Sequence, residues 1–230
     1  MHKYLTILLV ALFATSACSA EDKPAAAPAA APAATTTAKH WTEGQDYFLV
    51  QPPQPPAGDK VQVLEVFSYA CPHCAHFQPY AEELKGKLPA GATFELMPAI
   101  FQPGWEPFAR AFYAAKSLGV LDKTHQALFD AIHRDHQPLR TIDDLANTFY
   151  ANYGVSAGNF LSTASSFVVE GELQQSTQAV RAFGVDATPT LIIDGKYRVT
   201  GNPERGIGFP EMVQITLDLA GKEAAAKKGK

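Results

Sequence analysis

The chain has no excess of positive charge and no apparent internal repeat. Its 19 Lys and Arg are outnumbered by 23 Asp and Glu, and its only basic cluster is the short Ala/Lys segment from Lys222 to Lys230. This charge distribution gives no electrostatic footprint for nucleic acid, which excludes that class of partner. What is present is 230 residues, 47% apolar and 18% charged. That is enough for a substantial core in one or two domains.

Cysteine is also scarce, with three in the chain, of which only Cys71 and Cys74 lie in its central part. A zinc site normally has four ligands, often two Cys-x-x-Cys pairs or one pair with two spaced histidines. Here there is one pair, and His73 and His76 are the alternative ligands, although His73 is locked between the cysteines. A structural disulfide across three residues closes a very small loop and removes little unfolded-state entropy. Both alternatives are disfavoured, and no metal is expected.

The segment Cys71-Pro72-His73-Cys74 lies between the apolar run Val61–Phe67 and a helical pattern of apolar residues. A strand, two thiols and a helix are typical of redox chemistry, because the first sulfur then lies beside unpartnered backbone N–H groups at the positive end of the helix dipole. Pro72 suits the first helical position, where its missing N–H costs nothing, and an imidazolium at His73 would add positive charge near the Cys71 sulfur. We predict a stabilised thiolate at Cys71.

The first twenty residues have the pattern of an export signal. Lys3 gives a weak positive start, and Leu5–Phe13 is apolar but too short to span a bilayer. Thr15–Cys18 is similar to the lipobox of bacterial lipoproteins, which implies removal of the signal before Cys18 and lipid attachment to that residue. The alternative is a cut after Ala20, which would remove this cysteine.

Residues 21–46 are rich in Ala, Pro and Thr, and from Pro24 to Thr37 they include no large apolar side chain to bury. We predict a linker that does not fold alone, extended at about 3 Å per residue where it resembles polyproline. It is either a spacer for an anchored domain or a tail left by signal cleavage. With either cut, Cys71 and Cys74 can pair only with each other, and so local a disulfide favours a catalytic role in an oxidising compartment.

Strand patterns occur at both ends of the remaining chain and helical patterns lie between them. Within the helical part, a capping pattern at Thr141 predicts the start of one helix, and Ser156 is predicted to cap another. The strand patterns lie at 47–50, 61–67, 93–97, 190–194 and 197–200. Residues 47–105 and 179–221 together fit one small domain. The sequence therefore predicts a β-containing domain interrupted by an all-helical insertion over 106–178, with a flexible tail over 222–230.

Three segments, Leu64–Cys74, Gly184–Thr190 and Asp194–Tyr197, resemble the bacterial DsbA-type thiol:disulfide oxidoreductases, which have a thioredoxin fold with a helical insertion. The resemblance spans residues 47–220 and keeps the order of the motifs. It implies a cis bond at Pro189 that packs against the dithiol and leaves the Thr188 backbone free to pair with an extended substrate. The alternative from the sequence alone is an ordinary proline at the entry to a strand.

Glu65 lies within the central strand pattern, where burial would raise its pKa and make it a candidate proton acceptor for the inner thiol. Strand alternation leaves open an orientation toward solvent. The resembled family has an acidic residue at this place, but the basic partner often found on the neighbouring strand is absent, because Leu96 and Met97 occupy the expected positions. This departure puts a charge-paired relay in doubt.

The resemblance implies an enzyme that donates its disulfide to exported, unfolded proteins with free thiols. A substrate thiolate attacks Cys71, and Cys74 serves as the resolving thiol; Pro72 and Thr188 contact the substrate. No cofactor beyond the Cys71–Cys74 disulfide is implied. DsbA is the standard example of a strongly oxidising pair, so the direction of reaction is implied by the resemblance. So are reoxidation by a quinone-linked membrane oxidase of the DsbB type and a location in the periplasm of a Gram-negative bacterium.

Two other functions remain open at this point. A reductase or isomerase of the same fold would need the dithiol to persist in its reduced form, and isomerases usually carry an added dimerisation domain. A non-catalytic holdase would use the groove of the fold to bind peptides. In the insertion, His125, His133 and His136 are expected at the surface, and Phe101, Trp105 and Phe108 in the core between the two domains.

Overall fold

The computed structural model describes residues 40–55 and 58–229. Five strands form one sheet in the order β1-β5-β4-β2-β3, in which β2 and β3 are parallel and the other neighbours are antiparallel. The strands are β1 (Phe48–Leu49), β2 (Val61–Phe67), β3 (Ala92–Pro98), β4 (Thr190–Ile193) and β5 (Tyr197–Thr200). The sheet therefore combines strands from both ends of the chain, as predicted.

Seven α-helices are present in the described part of the chain. They are α1 (Pro72–Lys87), α2 (Glu106–Ser117), α3 (Leu121–Phe129), α4 (Ile142–Asp144), α5 (Ala157–Ala164), α6 (Phe167–Ala182) and α7 (Phe209–Lys228). Short 3₁₀ segments cover Pro103–Trp105, Tyr150–Tyr153 and Pro203–Arg205, and π-helical turns cover Asp130–Arg134 and Leu145–Phe149. In the described residues, no helix is both long and apolar enough to cross a membrane.

The central strand β2 places the cysteine motif. It pairs with β3 on one side and β4 on the other, and its side chains alternate between the two faces of the sheet. Val61 and Val63 pack in a core with α1 and α7, whereas Phe67, on the same face, packs with the helical insertion. Glu65 lies between them in the strand, at the boundary between these two cores.

The helical insertion has its own apolar core, which includes Phe112, Leu128 and Tyr150. The capping pattern at Thr141 is confirmed: the Thr141 hydroxyl accepts from the Asp144 N–H at 3.1 Å, and the Asp144 carboxylate accepts from the Thr141 N–H at 2.9 Å. Ser156 caps α5 as expected. The helix after Thr141 is more irregular than predicted, because α4 passes after three residues into a π-turn and then a 3₁₀ segment.

The flexible tail predicted from residue 222 is wrong for the residues through Lys228, which continue α7. Glu223 is buried and accepts a hydrogen bond from the Tyr197 hydroxyl at 2.9 Å and another from Lys196. Lys227 donates to the Asp194 carboxylate at 2.8 Å. The Ala/Lys composition of this segment does not indicate these polar contacts, which attach the end of the helix to the sheet.

The start of the described chain is also ordered by specific contacts. Residues 40–46, which the sequence analysis assigns to the linker, include a turn in which Asp46 N–H donates to Thr42 O at 2.9 Å. The Trp41 indole N–H donates to Asp218 at 2.8 Å. Cys18 and the export-signal pattern lie outside the described residues.

Candidate active site

Cys71 is the N-cap of α1 and lies four residues beyond the end of β2. Its φ of −92° and ψ of 115° are extended, and Pro72 occupies the first turn of the helix. The Cys71 N–H donates to Ser68 O at 3.0 Å, which closes the loop between strand and helix. Cys71 and Cys74 are both free thiols, with 5% and 0% of their surface exposed. The inner sulfur is thus more deeply buried, as predicted.

The Cys71 thiolate is strongly stabilised. Its pKa falls from 9.0 to about 5, chiefly because the Cys74 thiol donates a hydrogen bond to it. Burial opposes this shift, while a hydrogen bond from the Thr188 side chain and backbone N–H groups of Cys74 and His73 support it. The sequence argument from unpartnered N–H groups on the first turn therefore identified a real contribution, but the hydrogen bond from Cys74 contributes most.

Cys74 has the opposite character. Burial raises the pKa of its thiol far above the usual range, and proximity to the negative charges of Cys71 and Glu65 raises it further. At neutral pH the pair therefore holds one thiolate, on Cys71, and one thiol, on Cys74. A sulfur that is stable as a thiolate is a good leaving group.

Pro72 and His73 are exposed on the first turn of α1. The backbone N–H of His73 contacts the Cys71 sulfur, whereas the imidazole faces solvent. His73 therefore takes part in the site through its main-chain N–H group.

The bond between Thr188 and Pro189 is cis, as the family resemblance implied. When protonated, the Cys71 thiol donates to Thr188 O at 3.4 Å, so this loop lies directly against the reactive sulfur. The Thr190 hydroxyl donates to Ala187 O at 2.8 Å and closes the loop at the start of β4. Pro189 is buried and Thr188 half-buried, so Thr188 is the member of the pair that reaches the surface.

Glu65 is fully buried, and neither carboxylate oxygen has a hydrogen-bond partner. Burial raises its pKa from 4.5 to about 8, and the charges of Glu82 and Cys71 add to the effect. Its register partners are Leu96 on β3 and Leu191 on β4, which agrees with the predicted lack of a basic partner at these positions. The carboxyl borders a cavity of about 660 Å³ with an opening lined by charged side chains. These are Glu82, Lys85, Glu95, Lys116 and Asp122.

Two histidines of the insertion contact the active-site loop, so the prediction that they lie at the surface is wrong. His125 Nδ1 lies 2.8 Å from the Tyr69 hydroxyl, and His133 Nε2 lies 2.7 Å from the Tyr69 carbonyl oxygen. Burial lowers the pKa of His125 to about 4, so it is neutral at pH 7. The sequence did contain an indication that His125 is buried. His125 precedes the buried Leu128 and Phe129 by three and four residues, which places all three on one helical face.

The third histidine, His136, is exposed as expected. The three aromatic residues of the connection differ from one another. Phe108 is buried in a cluster that joins the insertion to Phe67 at the end of β2, as predicted, but Phe101 is 41% exposed. The Phe101 and Trp105 ring centroids are 5.5 Å apart. The pair therefore forms a partly open aromatic surface rather than a closed interface.

In the described ranges, no group of three or more His, Cys, Asp or Glu side chains is arranged to hold a metal ion. The site provides a thiolate on Cys71, a protonated thiol on the more deeply buried Cys74, and the buried carboxyl of Glu65, whose charge acts on Cys74.

Comparisons with known proteins give consistent results. Residues 62–205 match the family described as DSBA-like thioredoxin domain. The chain is 35% identical over 196 residues to the thiol:disulfide interchange protein DsbA of Pseudomonas aeruginosa, covering 83% of this chain and 90% of that protein. It is 36% identical over 188 residues to DsbA of Burkholderia cepacia, covering 80% and 86%.

Solved structures agree. The crystal structure of the oxidoreductase DsbA from Xylella fastidiosa superposes with a TM-score of 0.72 at 36% identity, covering 78% of this chain and 96% of that one. The crystal structure of the E82I variant of Pseudomonas aeruginosa DsbA gives a TM-score of 0.75 at 34% identity, covering 81% and 100%. The thioredoxin-like fold with a helical insertion is therefore confirmed.

Proposed function

This chain belongs to the DSBA-like thioredoxin domain family, and from that premise we propose that it is a dithiol oxidase that donates its Cys71–Cys74 disulfide to exported, unfolded proteins with free thiols. The observation that carries the proposal is the contrast between the two sulfurs. The pKa of Cys71 is lowered to about 5, while that of Cys74 is raised. The pair is therefore more stable as a dithiol than two ordinary cysteines would be, which makes the disulfide a stronger oxidant.

The reaction proceeds by two thiol–disulfide exchanges. A substrate thiolate attacks the Cys71 sulfur, the Cys71–Cys74 bond breaks, and its electron pair goes to Cys74, which takes up a proton. A second substrate thiolate then attacks the substrate sulfur of the mixed disulfide, and Cys71 leaves as a thiolate. The substrate loses two electrons as its disulfide forms, and the protein gains them as its dithiol.

The substrate contacts proposed for Pro72 and Thr188 are supported by their positions, and Pro189 is proposed as the cis residue that packs against the dithiol. Pro72 is exposed next to Cys71, and the main chain of Thr188 is within hydrogen-bonding distance of the same sulfur. An extended substrate that pairs with the half-buried Thr188 backbone would hold its own thiolate near Cys71. His73 contributes its backbone N–H to the thiolate.

We assign Glu65 to proton transfer at Cys74. The step above needs a proton donor when Cys74 is released and an acceptor when the disulfide reforms, and a buried carboxyl with a pKa of about 8 can do both near neutral pH. The mutual influence of the two groups supports their proximity, because the charge of Glu65 raises the pKa of Cys74. The adjoining cavity provides space for water between this carboxyl and solvent.

The location and partners follow from the sequence and from the family. The pattern of residues 1–20 supports export to the periplasm, and Thr15–Cys18 supports lipid attachment at Cys18, with residues 21–46 as the spacer to the folded domain. A quinone-linked oxidase of the DsbB type would restore the disulfide. Replacing Cys18 with Ala should release the protein to the soluble fraction; unchanged fractionation and mass would refute lipidation.

The oxidase proposal is tested by equilibration of the purified protein with glutathione and by the variant Cys71→Ser. We expect the pair to become reduced in mildly reducing buffers, and we expect the variant to lose all oxidation of a peptide dithiol while keeping its fold. A pair that stays oxidised in strongly reducing buffer would contradict the oxidase direction. Full function of Cys71→Ser in an envelope disulfide-formation assay would instead favour a holdase.

A further inference from the structure

We propose that His133, on the π-helical turn Asp130–Arg134 of the helical insertion, is a positioning residue for the oxidase reaction. It fixes the loop that leads into Cys71 through a hydrogen bond to the Tyr69 carbonyl. This proposal rests on the proposed function of Cys71. It assigns the helical insertion a direct part in setting the reactivity of the thiolate.

The contact comes from a distant part of the chain. His133 Nε2 lies 2.7 Å from Tyr69 O, across a separation of 64 residues. A carbonyl oxygen can only accept, so Nε2 carries the proton and donates. π-Turns are uncommon and often occur at functional sites, and this one carries the histidine that reaches the active-site loop.

The loop between β2 and α1 has few other main-chain supports. The Ala70 N–H donates to the Ser68 hydroxyl at 3.2 Å, and the Cys71 N–H donates to Ser68 O at 3.0 Å. Both of these bonds are local. The bond from His133 therefore supplies the long-range anchor among these three contacts and sets the orientation of the peptide unit between Tyr69 and Ala70.

The orientation of this peptide matters because Cys71 follows directly. The Cys71 thiolate depends on backbone N–H groups of the first turn of α1 and on the Cys74 thiol, and such contacts weaken steeply when the sulfur moves. Without the hydrogen bond from His133, the loop could shift and the sulfur would move away from these donors. The pKa of the Cys71 thiol would then rise.

The side chain of Tyr69 should hold the loop in place when His133 is replaced. The Tyr69 side chain is buried, its hydroxyl bonds to His125 at 2.8 Å, and its ring packs at 4.9 Å from that of Phe129. These contacts persist when the His133 side chain is removed. His133 is itself only half-buried, so its replacement does not open a large cavity. The loop should thus stay docked on the insertion but lose the constraint on its carbonyl.

The experiment compares His133→Leu and His133→Asn, which lose the contact, with His133→Gln, which keeps an N–H donor of similar reach. For each, the thiolate absorbance of Cys71 is titrated and the equilibrium with glutathione is measured. We expect the first two to raise the Cys71 pKa and to shift the equilibrium toward the protein disulfide by about 3- to 10-fold, since one pKa unit corresponds to tenfold. His133→Gln should remain within about twofold of the parent on the same scale.

Ser156→Ala is the matched control, because it removes the cap of α5 in the same insertion without touching Tyr69. It should lower the melting temperature and leave the Cys71 pKa and the equilibrium unchanged. If the His133 variants also change only the melting temperature, the inference is overturned. His133→Asn decides the matter if His133→Leu does not fold. If Cys71 of the parent protein ionises like an ordinary thiol, the proposed function itself fails, which distinguishes the two outcomes.

Discussion

Two buried carboxylates on the same sheet have opposite environments. Asp194, at the end of β4, is fully buried, and Lys227 Nζ donates to it at 2.8 Å. Lys196 Nζ lies 3.1 Å from its other oxygen, which is an ion-pair distance without the geometry of a hydrogen bond. Glu65, in the middle of β2, is as deeply buried but has no partner for either oxygen. The difference separates a carboxylate that attaches a helix from a carboxyl without a partner, which is the one proposed for proton transfer.

The two ends of β2 show the same contrast. At its start, the Asp194 N–H donates to Gln62 O at 2.7 Å, and the ionic cluster of Asp194, Lys196, Glu223 and Lys227 joins the sheet to the end of α7. Toward its other end lie Glu65 and the cysteine motif. Breaking a paired buried charge is expected to cost stability, whereas removing an unpaired one is expected to increase stability and reduce function.

The largest effect is expected for Glu65→Leu. A raised acid pKa means that the folded protein holds a proton that the unfolded chain loses, so wild-type stability falls as the pH rises from about 4.5 to about 8. Removing the carboxyl should therefore stabilise the protein at pH 8 by about 4 kcal/mol more than at pH 4.5. Exchange at Cys74 should slow by about a hundredfold or more, in the range of lost general acid–base catalysis.

Urea denaturation of the oxidised protein at several pH values measures the first effect, and stopped-flow oxidation of a peptide dithiol measures the second. The oxidised form is required because the free Cys71 thiol has a lowered pKa and contributes a stability term that rises over about pH 5 to 9, opposite in sign. Glu95→Gln, which lines the same cavity, is the control for a change of surface charge. A parallel pH dependence in Glu65→Leu and wild type would show that the pKa of this carboxyl is not raised in the folded protein.

A smaller effect is expected at the paired end, for Lys227→Met. This variant leaves Asp194 with only Lys196 nearby and also removes a hydrogen bond to Lys60 O at 2.9 Å. We expect a loss of about 2 kcal/mol in the free energy of unfolding, below the range for a fully buried pair because Lys227 is partly exposed. Oxidase activity should not change. Lys228→Met, one residue further, is the matched control, and a loss of activity in Lys227→Met alone would remove the distinction between the two ends.

The sequence predicted the elements that periodicity and caps specify. The five strands, the helix after Cys71 and the caps at Thr141 and Ser156 are all local patterns, and the structure contains them. The order of motifs then gave the fold through a family resemblance. What local patterns did not give was the partner of an ionisable side chain, because partners come from distant parts of the chain.

Lys227 and His133 illustrate this limit. Lys227 lies in an Ala/Lys stretch that is typical of a solvated tail, and its carboxylate partner is 33 residues away. His133 was expected at the surface because nothing in its neighbourhood points to Tyr69, and a π-turn that changes the helical phase has no clear sequence signature. Glu65 was predicted more fully, since the apolar run around it indicated burial as one of two open orientations and its lack of a cation follows from Leu96 across the strand.

The smallest expected effect tests whether single hydrogen bonds at the active-site end adjust reactivity without affecting stability. Thr188→Val removes a hydroxyl that bonds to the Cys71 thiolate but keeps the branched shape next to Pro189. We expect the Cys71 pKa to rise by about half a unit, which is the size of one net hydrogen bond. Alkylation of the reduced protein at pH 5 should then slow by about twofold, while the rate at pH 9, where both proteins are ionised, should not change. Thr148→Val, an exposed threonine of the insertion, should leave both rates unaltered. A rate reduced equally at both pH values would mean that Thr188 affects access to the sulfur and not its charge.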